Sequence, residues 1–367
     1  MHTGLPPPVP PPPPISMAAS TPNAPTRVAK HQQPWGVNHR LRILSVPLHQ
    51  KCPPQQLLAL LVGSSILVTA VCLLPQPTHA QEHQRRYGIP LAPSATHHAL
   101  TGGVVTLRTP GASEVLIPRS TFTMGSYPVE TQLALDNCRR EPLGKECTPE
   151  MFTNELDPHR VTLSAYWLDR TEVTVEQYAQ CANAGTCRAV NYRQGAQRFN
   201  LPRLPAVLVS WNDARAYCAF VGKELPTEAQ WERAARGLSG RRFPWGDHFA
   251  SRRANHGRWA LDNTDASDGY HELAPVSSFP SGRTTEGFED LAGNAAEWTA
   301  DAYEDGYEAL PVTDPKGPAF GTYKVVRGGA YNFGMPWLRG SARLFRKAST
   351  RVPYLGFRCA RGAIPRR

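Results

Sequence analysis

From residue 57 to residue 74 the chain carries no charge and is mostly apolar. Arg40, Arg42 and Lys51 precede this run, and Pro75, Pro77 and Thr78-His79-Ala80 follow it. A basic flank, an apolar stretch and a small residue at the exit predict a signal peptide cut after Ala80. Its length is also near the minimum for a membrane span, so a retained anchor over 57–74 is the alternative. Beyond Glu114 the pattern changes. VLIPRSTFTMGS has apolar residues at strand spacing and ends in a glycine turn, and Arg160 to Leu168 is a second strand candidate. Two helices carry start signals. Ser210 caps residues 211–222, with Asp213 placed to reach back and Ala214, Tyr217, Cys218 and Val221 as the apolar stripe. Thr227 caps the next, with Gln230 as its partner, Trp231, Ala234 and Ala235 facing inward, and Gly237 as the stop. A third helix is expected over Val175 to Ala182. After Gly237 the chain is rich in Gly, Asp, Asn and Pro, which predicts long irregular loops.

Composition divides the chain further. Sixteen of the 36 prolines fall in the first 80 residues, eight of them in Pro6–Pro14. Such a segment favours extended polyproline and builds no core. The expected organisation is a Pro-rich, disordered segment over 1–56, a signal peptide or anchor over 57–80, a polar linker over 81–113 and a folded domain over 114–362. The first 80 residues hold five basic and no acidic residues, so the remainder has 35 basic against 30 acidic. That balance is mild. Without a basic run interleaved with aromatics, no nucleic-acid partner is expected.

Of eight cysteines, six follow Ala80: Cys138, Cys147, Cys181, Cys187, Cys218 and Cys359. An even count in an exported domain suggests disulfides. Cys138/Cys147 and Cys181/Cys187 would staple local loops. Cys218/Cys359 would close a loop of about 140 residues, worth about 4–5 kcal/mol on a chain-entropy basis. Buried free thiols are the alternative. No CxxC spacing points to zinc.

A series of short motifs gives a sharper reading. FTMGS (122–126), DPHRVTL (157–163), LDRTEVT (168–174), VSWNDA (209–214), YC at 217–218, GKELPTEAQWE (222–232), FPWG (243–246), GFEDLAGNAAEW (287–298), RGG (327–329) and GFRC (356–359) occur in this order. Together they resemble the formylglycine-generating enzyme, or sulfatase-modifying factor, family over roughly residues 114–362. The resemblance implies an α+β, complex C-type-lectin-like fold, loop-rich and low in regular secondary structure. It also implies that the GFRC cysteine, Cys359, pairs with Cys218.

The same resemblance locates candidate sites. One family calcium site falls on Asp290, Gly293, Ala295 and Glu297. Two carboxylates and two carbonyls from a tight turn suit a hard cation. A second falls on Asn255 and Asp268, with the carbonyls of His256 and Tyr270. The bland alternative is that these side chains brace turns through backbone amides. Active oxidases of the family carry two cysteines after the RGG turn, which bind copper and oxidise a substrate cysteine. The aligned residues here are Phe333 and Leu338. Neither can replace a thiolate as a copper ligand or redox nucleophile, so copper is not expected.

These features predict an exported protein of a bacterial periplasm, cell envelope or extracellular space that binds a peptide, protein or small ligand. Tyr331, Trp337, Arg339, Arg343 and Arg346 are the ligand-groove candidates, since aromatics and arginines dominate recognition surfaces. Alternatively, these arginines support neighbouring loops. The competing function is an oxidoreductase of the same family with a different, non-thiolate metal site. His residues give that reading little support, and His159, inside DPHRVTL, is expected to be structural.

Overall fold

In the computed structural model, which describes residues 114–192, 195–258, 265–307 and 313–363, the first apolar run is two strands. β1 (Glu114–Ile117) ends at Pro118, which has no N–H to continue a ladder, and β2 (Ser120–Met124) follows. The second run is divided as well. β3 (His159–Leu163) pairs antiparallel with β2, while β4 (Tyr166–Asp169) pairs antiparallel with β1. The break between them is fixed by Ser164, whose N–H and hydroxyl both donate to the Asp314 carboxylate at 2.8 and 2.7 Å. The chain thus passes twice between two sheets where the alternation alone suggested uninterrupted strands.

β9 (Ala360–Gly362) pairs with the other edge of β4, giving a three-stranded sheet in the order β1-β4-β9. A four-stranded sheet is built from β5 (Ala296–Ala302), β6 (Tyr323–Arg327), β7 (Leu344–Lys347) and β8 (Leu355–Gly356) in the order β7-β6-β5-β8. Its β5–β8 pair is parallel and the others antiparallel.

Among the described residues, four α-helices complete the regular structure. α1 (Pro128–Cys138) has no sequence expectation, because its apolar residues form no clean stripe: Val129 is exposed, and Ala134, Leu135 and Cys138 are buried. α2 (Val175–Asn183) starts with Thr174 and Gln177 bonded reciprocally to each other's backbone N–H. α3 (Trp211–Phe220) and α4 (Glu228–Arg236) start with the expected Ser210/Asp213 and Thr227/Gln230 boxes. α3 stops two residues early, before Gly222 at φ +74°. Gly237 ends α4. α4 buries Glu228, Glu232, Arg233 and Arg236 beside Trp231, so its charges face the interior. The architecture is α+β.

The six cysteines after residue 80 close as Cys138–Cys147, Cys181–Cys187 and Cys218–Cys359. The last ties α3 to the approach of β9 across 141 positions, with Cα atoms 5.6 Å apart. The expected segments 1–56, 57–80 and 81–113 lie outside the described residues. The expected membrane tether is corrected: among the described residues, no helix is long and apolar enough to cross a membrane.

Replacing both Cys218 and Cys359 by Ser should lower unfolding stability by about 2–4 kcal/mol in urea titration, because a long loop regains freedom in the unfolded chain. A loss under about 0.5 kcal/mol would mean that the bridge constrains little beyond what packing already fixes.

Candidate functional site

The RGG turn stands on buried ion pairs. Arg327, at the end of β6, donates to the carbonyls of Gly340, Ser341 and Ala342 at 2.8–3.0 Å and also to Glu232 of α4. The other Glu232 oxygen accepts the Gly125 N–H at 2.8 Å and Arg236 at 3.1 Å. One carboxylate therefore joins the FTMGS turn, α4 and the RGG strand. Gly329 takes φ +66°, and a Cβ there would lie 2.8 Å from the Trp337 carbonyl oxygen, so a side chain would displace the following turn.

Within this network most of the ligand-groove candidates are buried. Arg339 is 1% exposed and pairs in two bonds with Glu155, at 2.5 and 2.8 Å. Arg343 is buried and pairs in the same way with Glu228, and it spends another N–H on the carbonyls of Asn154 and Gly306. Burial alone would raise the Glu155 carboxyl, but the Arg339 guanidinium overrides it and holds the group below its usual range. Tyr331 is buried, and Trp337 is buried against Phe152, with ring centres 5.0 Å apart. Only Arg346 of the five candidates is partly exposed, with its guanidinium over Tyr354. A buried guanidinium needs carboxylates and carbonyls for its donors. An arginine-rich loop supplies those anchors as readily as it supplies a surface.

Phe333 and Leu338 lie in the main apolar core, 3% and 0% exposed. Phe333 packs edge-on against Tyr354, with ring centres 5.5 Å apart. All six cysteines among the described residues are in disulfides.

The first candidate calcium site is a turn leading into β5. Asp290, Gly293 and Asn294 all take positive φ, which brings the turn backbone close to Asn255. A Cβ on Gly293 would lie 1.9 Å from the Asn255 carbonyl oxygen, and that carbonyl accepts the Asn294 N–H at 2.8 Å. Asp290 accepts the Ser277 N–H at 2.7 Å. Glu297 is fully buried and held by Arg358 in two 2.7 Å bonds, with the Trp231 indole N–H adding a third at 2.9 Å. Most of its acceptor capacity is therefore already used.

Glu172, in the LDRTEVT motif, lies beside this turn. It accepts Asn294 Nδ2 at 3.0 Å, and its buried Oε2 has no partner. The Asp290 carboxyl is close enough to act on it electrostatically. Burial, then the Asp290 and Glu297 charges, pushes Glu172 well above the ordinary carboxylate range, with Arg358 opposing. Burial also raises Asp290 to about 6. Two neighbouring carboxyls, Glu172 with its orphaned oxygen and Asp290, could hold a hard cation together with turn carbonyls. No sequence signal links Glu172 to a turn 122 positions away.

At the second site, Asp268 accepts the N–H groups of His256 at 2.6 Å and Tyr270 at 2.8 Å, in the turn-bracing manner. Asn255 Oδ1 is buried without a partner, which leaves one donor oxygen for a cation. Among the described residues, no group of three or more His, Cys, Asp or Glu side chains gathers as a metal cluster. Each candidate set therefore relies on carbonyl oxygens as well as side chains.

The model of the sulfatase-modifying factor enzyme 1-like domain matches residues 104–363. A formylglycine-generating enzyme of Streptomyces coelicolor is 44% identical over 173 residues, which are 44% of this chain and 54% of that protein. The bovine (Bos taurus) inactive C-alpha-formylglycine-generating enzyme 2 is 40% identical over 169 residues, 43% of this chain and 50% of that protein. The chain spans about half the length of these curated relatives. Among solved structures, PvdO from Pseudomonas aeruginosa superposes with a TM-score of 0.54 at 28% identity, covering 68% of this chain and 94% of that one. Treponema denticola variable protein 1 shares the fold, with a TM-score of 0.50 at 21% identity, over 68% of this chain and 94% of its own.

Arg339→Ala should cost about 3–5 kcal/mol, because it leaves Glu155 buried and uncompensated. Arg346→Ala should change stability by less than about 0.5 kcal/mol in the same denaturant series. Equal costs would overturn the division between buried and surface arginines. The raised Asp290 carboxyl sets a second expectation. Its folded state holds a proton that the unfolded state releases, so its contribution is complete below the unfolded value and is lost as pH rises through about 6. In chelator, stability should therefore fall between about pH 5 and 7 by on the order of 1 kcal/mol more in the parent than in Asp290→Asn. Millimolar calcium should offset the fall in the parent. A pH profile identical in the two proteins would remove Asp290 from the account.

Proposed function

Since this chain belongs to the sulfatase-modifying factor family, we propose that it is an exported, calcium-holding member that acts as a binding or accessory protein, without copper-dependent cysteine oxidation. The observation that carries this reading is the burial of Phe333 and Leu338 in the apolar core at the positions aligned with the family's cysteine pair. Thiol oxidation needs a free thiolate, and the described cysteines are all consumed in disulfides. Overall similarity does not decide the matter. A relative named as a formylglycine-generating enzyme and another named as an inactive one lie at 44% and 40% identity. The decision rests on the residues at the turn.

Three disulfides support an oxidising compartment, in keeping with a signal peptide cut after Ala80 and a family domain over 114–362. The expected C-type-lectin-like topology belongs to the same proposal. Calcium would be held at Asp290, with Gly293, Ala295 and Glu172 beside it, and at Asn255 and Asp268. Bound there, it would supply charge neutralisation and fix the turn. The ligand surface narrows to Arg346 and its neighbour Phe345, which stacks on Tyr303 with ring centres 4.1 Å apart. Such a basic, aromatic patch suits an anionic peptide or ligand.

Co-expression with a CxPxR peptide should leave the peptide cysteine unchanged by mass spectrometry. A mass loss matching thiol-to-aldehyde conversion would overturn the proposal. Metal analysis of the same preparation separates the remaining alternative: stoichiometric iron or copper surviving dialysis would favour an oxidoreductase with a replaced metal site.

A further inference from the structure

Lys223, in the turn after α3, reaches two carboxylates. Its Nζ lies 2.5 Å from Asp169 Oδ1, at the end of β4, and 3.1 Å from Glu114 Oε1, at the start of β1. The Lys223, Asp169 and Glu114 side chains are 12%, 6% and 18% exposed. Asp169 Oδ2 accepts the Cys359 N–H at 3.0 Å. Arg361 also bonds Glu114, at 2.8–3.1 Å. Backbone contacts fix each member of the group. The Lys223 N–H donates to the Cys218 carbonyl at 2.7 Å, and the next residue, Glu224, exchanges two backbone bonds with Ala360. Asp169 lies on the central strand of the three-stranded sheet, directly opposite Glu114 in the β1–β4 register.

A lysine–aspartate ion pair needs no third group. Here a lysine nitrogen meets a carboxyl, a backbone N–H bonds the carboxyl oxygen away from it, and a second carboxylate bonds the same nitrogen. Nucleophile, electrophile, oxyanion donor and base are the parts of an acyl-transfer site. Burial, with the Glu114 charge adding to it, raises the Asp169 carboxyl above its usual range, against Lys223 and the Cys359 N–H. The neutral carboxyl is the form open to attack. Burial alone would raise Glu114 too, but Arg361 and Lys223 hold it below its usual range, so it stays a proton acceptor. We propose that Lys223 and Asp169 condense to an amide cross-link within the folded chain, with Glu114 carrying the proton. This modification goes beyond the reading of the RGG turn and stands whether or not that reading does.

The step needs no oxidant and no cofactor. A proton first passes from Nζ to Asp169 Oδ1 across their hydrogen bond, which leaves an amine and a carboxylic acid. The Nζ lone pair then forms a bond to Cγ, and the electron pair of the Cγ–Oδ2 double bond moves to Oδ2, where the Cys359 N–H stabilises it. Glu114 takes a proton from the nitrogen and passes it to the Oδ1 hydroxyl. The Cγ–Oδ1 bond breaks, water leaves and the Glu114 carboxylate is restored. Holding the two groups in contact supplies an effective concentration of up to about 10⁵ M or more, and burial limits the water that would reverse the reaction. The product ties the centre of the three-stranded sheet to the turn after α3. It lies beside the Cys218–Cys359 bridge, which a reductant can open and an amide resists.

The test is peptide mapping by mass spectrometry of the full chain, purified folded, then denatured, reduced and digested with trypsin. The expected product joins the peptide ending at Arg170 to one that reads through Lys223, at the sum of their masses less one water. Cleavage after Lys223 should disappear to the same extent, because the amide removes the charge that trypsin reads. Glu114→Gln should slow the linkage by about 100-fold or more. Chain synthesised and kept in denaturant should show no link, since 54 positions separate the two residues. Unlinked peptides and full cleavage after Lys223 in the folded parent would overturn the proposal, whatever the variant does. An equal rate in Glu114→Gln would overturn the proton-carrying role given to Glu114.

Discussion

Buried guanidinium–carboxylate pairs are the constraint on which the rest of this structure depends. Regular elements are short, and the four-stranded sheet ends in a two-residue strand. The segments between them need another means of holding shape. Arg327, Arg339 and Arg358 are among the largest fully buried side chains, and each bonds a carboxylate as well as backbone carbonyls. A guanidinium presents five donors in a fixed plane, so it can fix two or three loop carbonyls at once. The pairs are not a simple source of stability, because removing two charges from water offsets much of their attraction. Their effect is specificity: alternative loop paths would leave a charge buried without its partner.

Legibility in the sequence followed the range of the interaction. α3 and α4 could be read because Ser210/Asp213 and Thr227/Gln230 settle each start within four residues. α1 could not, because its burial is decided by packing that no stripe announces. The strand breaks at Pro118 and Ser164 were hidden for a related reason. The alternation of apolar residues is the same on both sides, and the change of sheet at Ser164 depends on Asp314, 150 positions later. In the candidate site, the turn from Asp290 to Glu297 was legible as a run of residues. That Arg358 already occupies Glu297, and that Glu172 stands next to Asp290, depends on segments remote in the chain. The arginines of the last loop were visible, but residue type does not reveal which way a guanidinium points.

The two candidate cation sites are joined by backbone. The Asn255 carbonyl accepts the Asn294 N–H, and Asn255 Nδ2 donates to Asn294 Oδ1 at 3.0 Å. Gly293 permits the approach because it has no Cβ. The two turns therefore share backbone and side-chain hydrogen bonds. The RGG strand shares in this, because the Gly293 N–H donates to the Gly328 carbonyl at 2.8 Å. Any ligand held near that strand meets a surface whose shape depends on the turn beneath it.

The three-stranded sheet has a consequence for the order of events in the life of the chain. Its central strand, β4, has β1 on one edge and β9 on the other, and Glu114 at its start bonds Arg361 at its finish, 247 positions apart. Pairings of such separation must await the synthesis of β9, and topologies built from them fold slowly. A chain emerging in sequence cannot complete this sheet early. Until β9 arrives the sheet remains open along the β4 edge, whose unpaired backbone groups are a template for wrong pairing.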